Sequence, residues 1–149
     1  MAGASLRIDI RYDNLRIRAL LRRLQEAGGD LEDAFAEIGE LLLRTHRRRF
    51  EEQKDPEGNA WLPLKESTLR RKKKNADKVL IESGNLMETL RYRVGADRLE
   101  FGTDRIYGAT HQFGDDSRNI PARPFLGISP EDEADIEAII TEHIERAFR

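Results

Sequence analysis

The apolar residues of this chain change period along its length, and the order of those changes limits the folds open to it. Leu6, Ile8 and Ile10 alternate with Arg7, Asp9 and Arg11, which predicts a strand over Ser5–Tyr12 with one buried face. From Asn14 to Ala27 the spacing turns helical. Leu15, Ala19, Leu20 and Leu24 form a stripe, with Arg16, Arg22, Arg23 and Glu26 outside it. Gly28-Gly29 ends that helix. Asp30 is an N-cap for a longer helix reaching about Gln53, with Glu32 and Asp33 at its positive end. Its inward stripe is Leu31, Phe35, Ile38 and Leu42, with Leu41 and Thr45 at the margin. Arg44, Arg47, Arg48 and Arg49 fall in its last turns, where cations suit the helix dipole.

The next stretch is punctuated by turn residues. Asp55-Pro56-Glu57-Gly58-Asn59 is a turn by composition, and Trp61, flanked by apolar residues, is expected to anchor it to the core. A short helix is predicted from Glu66 to Lys74, then an apolar return at Val79-Leu80-Ile81. Ser83-Gly84-Asn85 opens another short helix through Leu86, Met87 and Leu90. Period two comes back in Arg91–Val94 and Arg98–Thr103, joined by Gly95-Ala96-Asp97, which predicts a β-hairpin. Tyr107–Phe113 has room for one or two helical turns, and Ile120–Ile128 reads as a loop or a strand. Ser129-Pro130-Glu131-Asp132 starts a last helix to about Phe148, with Ile136, Ile139 or Ile140, Ile144 and Phe148 on its apolar face. The class is α+β: an N-terminal strand and helices, a small antiparallel sheet with a β-hairpin, and a closing C-terminal helix. At 149 residues without an internal repeat, the chain reads as a single domain, residues 1–149.

Composition removes several classes of function. There is no cysteine, hence no thiol catalysis, disulfide or thiolate metal site. No apolar run approaches the roughly 18 residues of a membrane span, and Met1–Ser5 lacks the pattern of a signal peptide, so a cytoplasmic protein without membrane contact is expected. A net charge of -2 argues against a polycation, but the charges are unevenly placed. Twelve Lys and Arg lie between Arg44 and Lys78, whereas Glu131–Glu145 is almost purely acidic. Regions of opposite sign like these suit self-association or an acidic partner. The five consecutive cations Arg70, Arg71, Lys72, Lys73 and Lys74 are candidate phosphate contacts, and carry the alternative reading of a nucleic-acid-binding accessory protein. They lack interleaved aromatic residues for base stacking.

No catalytic set emerges, and no cofactor is expected. His46, His111 and His143 have no second ligand at a usual metal spacing. His46 and His143 are expected in solvent, and His111 in a structural or interface contact. Ser83 lacks the glycine of a nucleophile elbow two residues before it, where Ile81 stands, and suits an N-cap better. None of the many carboxylates sits in an apolar stretch that would mark a general acid. The segment Tyr107–Leu126 differs from its surroundings. Pro121 and Pro124 stiffen Ile120–Phe125, Arg123 is held outward or against a fixed partner, and Phe113 and Phe125 are expected to pin the ends. A segment ordered before binding lowers the entropic cost of an interface. Tyr107, His111, Gln112, Phe113, Arg123, Pro124 and Phe125 are therefore the candidate assembly residues, Arg123 and Phe125 ahead of His111.

A family resemblance is carried by blocks in a fixed order. They are Phe50-Glu51-Glu52-Gln53, Asp55-Pro56-Glu57-Gly58, Trp61-Leu62-Pro63-Leu64 and Leu80-Ile81-Glu82-Ser83-Gly84-Asn85-Leu86. Phe101-Gly102-Thr103, Tyr107-Gly108-Ala109, His111-Gln112-Phe113-Gly114 and Ile120-Pro121-Ala122-Arg123-Pro124-Phe125-Leu126-Gly127 follow. In this order they resemble the phage virion morphogenesis family, with Gly108 in place of an expected Ala and Glu82 in place of a common Asp. The resemblance implies a non-enzymatic structural role in completing a tail or joining it to the head of a phage or prophage. It also implies partners among tail or connector proteins and a homo-oligomeric ring on assembly. The protein would then be found in the host cytoplasm during assembly and afterwards in the virion. In such a ring the acidic last helix and the basic middle could meet across subunits.

Overall fold

A computed structural model describes residue 12 and residues 14–63, 85–104 and 106–149. The predicted Ser5–Tyr12 strand lies outside the described residues apart from Tyr12. So do the Glu66–Lys74 helix, the Val79–Ile81 return, the Ser83 cap and the five cations Arg70–Lys74.

Helix α1 (Leu15–Glu26) starts where the Asn14 side chain accepts from the Ile17 amide at 3.0 Å. Its buried residues are Ile17 and Leu24, with Leu20 and Leu21 partly covered. Leu15 is 78% exposed, against expectation. Leu15 and Leu24 are nine residues apart, about two and a half turns, so they cannot share a face. The set that can is Ile17, Leu20, Leu21 and Leu24.

Helix α2 (Leu31–Glu52) is the spine. Asp30 caps it by accepting from the Glu32 amide at 2.9 Å, and Gln53 ends it in the left-handed conformation at φ 60°. Of the expected stripe, Phe35, Ile38, Leu41 and Leu42 are buried, and Leu31 and Thr45 are partly so. The stripe does not stop there, because His46, Arg49 and Phe50 continue it inward at the same spacing. Two cores result. Ile17, Leu24, Phe35, Ile38 and Leu42 pack with Ile136, Ile140 and Ile144 around the first half of α2. Phe50, Trp61, Leu86, Leu90, Phe125 and Leu126 form the second around its end. Trp61 does anchor the turn before it.

After the short helix α3 (Asn85–Glu88), strands β1 (Arg91–Val94) and β2 (Leu99–Gly102) form the antiparallel hairpin, with Tyr92 opposite Phe101. The hairpin lies directly on α2. A Cβ at Gly39 would come within 2.5 Å of the Tyr92 ring, so only glycine allows this approach. Helix α4 (Ile106–Phe113) follows, then a 3₁₀ turn (Asp116–Arg118) and a run to Ile128 without regular secondary structure, bent at Gly127. Helix α5 (Pro130–Ala147) opens on a capping box: Ser129 Oγ accepts from the Asp132 amide at 3.0 Å, and Asp132 Oδ2 accepts from the Ser129 amide at 3.1 Å. Ile136, Ile140 and Ile144 are its buried apolar face. Phe148, expected on that face, stands 75% exposed, because it is the cap residue beyond the last helical turn. Five α-helices and one two-stranded antiparallel sheet, among the described residues, make the class α+β as expected. No described helix is long and apolar enough to cross a membrane.

Candidate assembly surface

The segment from α4 to α5 is held from both sides by side chains that treat it as a strand without a neighbour. Gln112 on α4 takes the part of a strand mate. Its Oε1 accepts from the Phe125 and Leu126 amides at 3.0 and 2.9 Å, and its Nε2 donates to the Leu126 carbonyl at 3.1 Å. The Arg123 amide donates to the His111 carbonyl at 2.7 Å. Trp61 Nε1 donates to the Pro124 carbonyl at 2.7 Å. Pro121 and Pro124 have no amide hydrogen to satisfy, so this backbone meets few unmet demands.

Arg123 is buried rather than outward, and donates through Nε and NH2 to the carbonyls of Leu62 and Pro63 at 2.8 and 3.0 Å. Phe125 is fully buried, tilted against Phe50 with ring centroids 5.7 Å apart. These two residues position the segment from within. Phe113, expected to pin one end, is instead 64% exposed. It is the last residue of α4, and Gly114 at φ 77° turns the chain away immediately after it. A Cβ at Gly114 would lie 2.7 Å from the Ala122 amide nitrogen, so the returning chain passes close behind. Between the two runs, Asp115 and Ile120 exchange backbone hydrogen bonds of 2.8 and 2.9 Å and close a small lobe. Arg118 bonds Asp115 at 2.7 Å on its surface. Phe113, Arg118 and Ala122 are exposed in this region, as is Leu62, at 55%, on the chain that Arg123 holds. His111 is partly buried, and burial followed by the charge of Arg123 lowers its pKa. Tyr107 lies on α4, but its side chain is outside the described residues.

The strongest polar cluster is one that residue type alone conceals. Arg49 NH1 donates to the carbonyls of Phe125 and Gly127 at 3.1 and 2.8 Å and to His46 Nε2 at 3.0 Å. Its NH2 meets Asp132 Oδ2 at 2.5 Å, with both side chains buried. The acidic last helix and the basic end of α2 thus meet within one chain at this pair. His46, expected in solvent, is 1% exposed. It follows Leu42 by four residues, so the apolar stripe carries it inward. Its Nδ1 hydrogen goes to the Leu42 carbonyl at 2.8 Å, leaving Nε2 to accept from Arg49 and from the Gly127 amide at 3.3 Å. Burial, then the Arg49 charge, hold its pKa down to about 3. His143 is also less exposed than expected, with Nε2 at 2.6 Å from Glu37 Oε2.

A pH dependence follows from His46. Between about pH 3 and the unfolded value of about 6.5, the unfolded chain carries a proton here that the folded protein lacks. Acid therefore favours unfolding, and stability present above about pH 6.5 is lost as pH falls. From pH 7 to pH 5 the expected loss is about 2 kcal/mol at this residue. Urea unfolding at both pH values checks it; His46→Gln should flatten the difference, and an equal slope in that variant would refute the assignment.

Among the described residues no group of three or more His, Asp or Glu is placed to hold a metal ion. Sequence comparison gives the region its context. The phage virion morphogenesis family matches residues 12–145. Tail completion protein S of Escherichia phage P2 is 29% identical over 143 residues, covering 88% of this chain and 94% of that protein. The Mu-like prophage FluMu G protein 2 of Haemophilus influenzae is 31% identical over 135 residues, covering 87% and 90%. The putative capsid assembly protein G of Escherichia phage Mu is 27% identical over 155 residues, covering 97% and 99%. Comparison with solved structures gives no significant match. A family match running from three residues before α1 to the last turn of α5 leaves one assignment: the chain belongs to the phage virion morphogenesis family.

Proposed function

We propose that this protein is a non-enzymatic assembly protein of a phage or prophage particle. It acts in tail completion or in joining tail to head, and it works as a homo-oligomer, a ring, against tail or connector proteins. Its place is the host cytoplasm during assembly and then the head–tail junction or tail. The family and the names of its relatives support the assembly role. One structural observation supports the contact surface: a lobe pinned from beneath by Gln112, Arg123 and Phe125 carries the exposed Phe113 at its edge. An aromatic side chain on ordered backbone loses little freedom on docking, and a few such residues dominate binding energy.

The test is complementation of particles that lack this protein with a Phe113→Glu variant. A residue this exposed should leave thermal unfolding unchanged. Burial of a charge at the contact should weaken it about thirtyfold, the equivalent of about 2 kcal/mol, and complete particles should fall accordingly. Full complementation by both Phe113→Glu and Arg118→Glu would remove the lobe from the interface.

A further inference from the structure

Two helices leave long outward faces of opposite charge. On α1, Arg16, Arg18, Arg22 and Arg23 are exposed beside Ala19 and Leu15, with Glu26 the one acid of the helix. On α5, Glu131, Asp135, Glu142 and Glu145 are exposed, and Ala134, Ala138 and Thr141 run between them. Helical geometry puts these seven α5 residues on one side, opposite the buried line of Asp132, Ile136, Ile140 and Ile144. Arg146 lies at the margin and pairs with Glu142 at 3.1 Å. The α5 face spans about 21 Å and α1 about 18 Å, so the two match in length. The small residues along its middle let another helix approach closely, while the flanking carboxylates meet its cations.

We propose that the α5 face of one copy docks on the α1 face of a second copy, so that the homo-oligomer is built from this pair of surfaces. The partner is a second copy because the complement of each face is carried by the chain itself. The chemistry is already seen once inside the chain, where Arg16 on α1 reaches Glu137 on α5 at 3.4 Å. The inference rests on the proposed homo-oligomer and adds its interface, separate from the Phe113 lobe. Exposed ion pairs are screened by salt, so the contact is weak in the free protein and tightens where the particle holds copies close together.

The test is sedimentation velocity of the full chain at about 50 mM and about 500 mM salt, a range over which the screening length falls by about threefold. Self-association should appear at low salt and fall at least about tenfold at high salt. Arg22→Glu with Arg23→Glu should abolish it, as should Asp135→Arg with Glu142→Arg. Mixed together, these two variants should associate again, because each now offers what the other lacks. Circular dichroism should show both variants folded, since all four positions are exposed. A wild-type chain that stays monomeric at low salt and high concentration would remove the oligomer along with the interface. Association that survives either reversal, or a mixture that stays monomeric, would remove this interface and leave the oligomer standing.

Discussion

Replacing Arg49 by alanine is expected to destabilise the fold by about 3–5 kcal/mol, the range for breaking a buried ion pair from one side. Native domains have only about 5–15 kcal/mol in total, so the variant should be close to unfolding at physiological temperature. The loss has several sources. Asp132, 2% exposed, would keep a buried carboxylate that has lost its paired cation and retains the Ser129 amide as a donor. The carbonyls of Phe125 and Gly127 and the Nε2 of His46 would each lose a donor. Arg49→Lys should rescue little, because an ammonium cannot make the planar fork that reaches four acceptors at once. Arg49→Met combined with Asp132→Leu should recover much of the loss, since removing both charges leaves neither of them stranded. Urea unfolding of the single and double variants measures this directly. An Arg49→Ala protein within about 1 kcal/mol of wild type would show that the pair does not fasten α5 to α2.

That network marks the boundary of what the sequence discloses. Elements with a clean period or cap were legible: Asp30 before α2, the Ser129–Asp132 start of α5, the turn after Gln53, and the hairpin from Arg91 to Gly102. Local chemistry sets these features, so they can be read locally. Arg49 and Asp132 are 83 positions apart, and only the tertiary fold brings them together. Each also has a sufficient local explanation, one as a cation at a helix end and the other as an acid in a first turn. His46 shows the same effect in another form. Its arginine neighbours in sequence suit a solvated side chain, whereas its four-residue step from the buried Leu42 is the better signal. At the assembly segment the two prolines announced a stiff chain. Gln112 as the mate for that chain was not visible, because a glutamine bonding two amides 13 and 14 residues on has no sequence signature.

The two phenylalanines that flank the segment should separate completely under mutation. Phe125→Ala empties the middle of the second core, where the ring is fully buried against Phe50 and near Gly108, and is expected to lower stability by about 3–5 kcal/mol. Phe113→Ala removes a side chain that is 64% exposed and should change stability by no more than about 0.5 kcal/mol. Parallel urea unfolding of both variants checks the pair, and complementation of particles then gives the contrast its functional meaning. Phe125→Ala should fail to assemble at temperatures where it is unfolded and improve on cooling to those where it is folded. Phe113→Ala should be deficient at every temperature, because folding is not what it lacks. If Phe113→Ala is as unstable as Phe125→Ala, the exposed edge of the lobe is part of the core and has no side chain free for a partner. If it is stable and fully competent, the lobe is ordered for a reason other than docking.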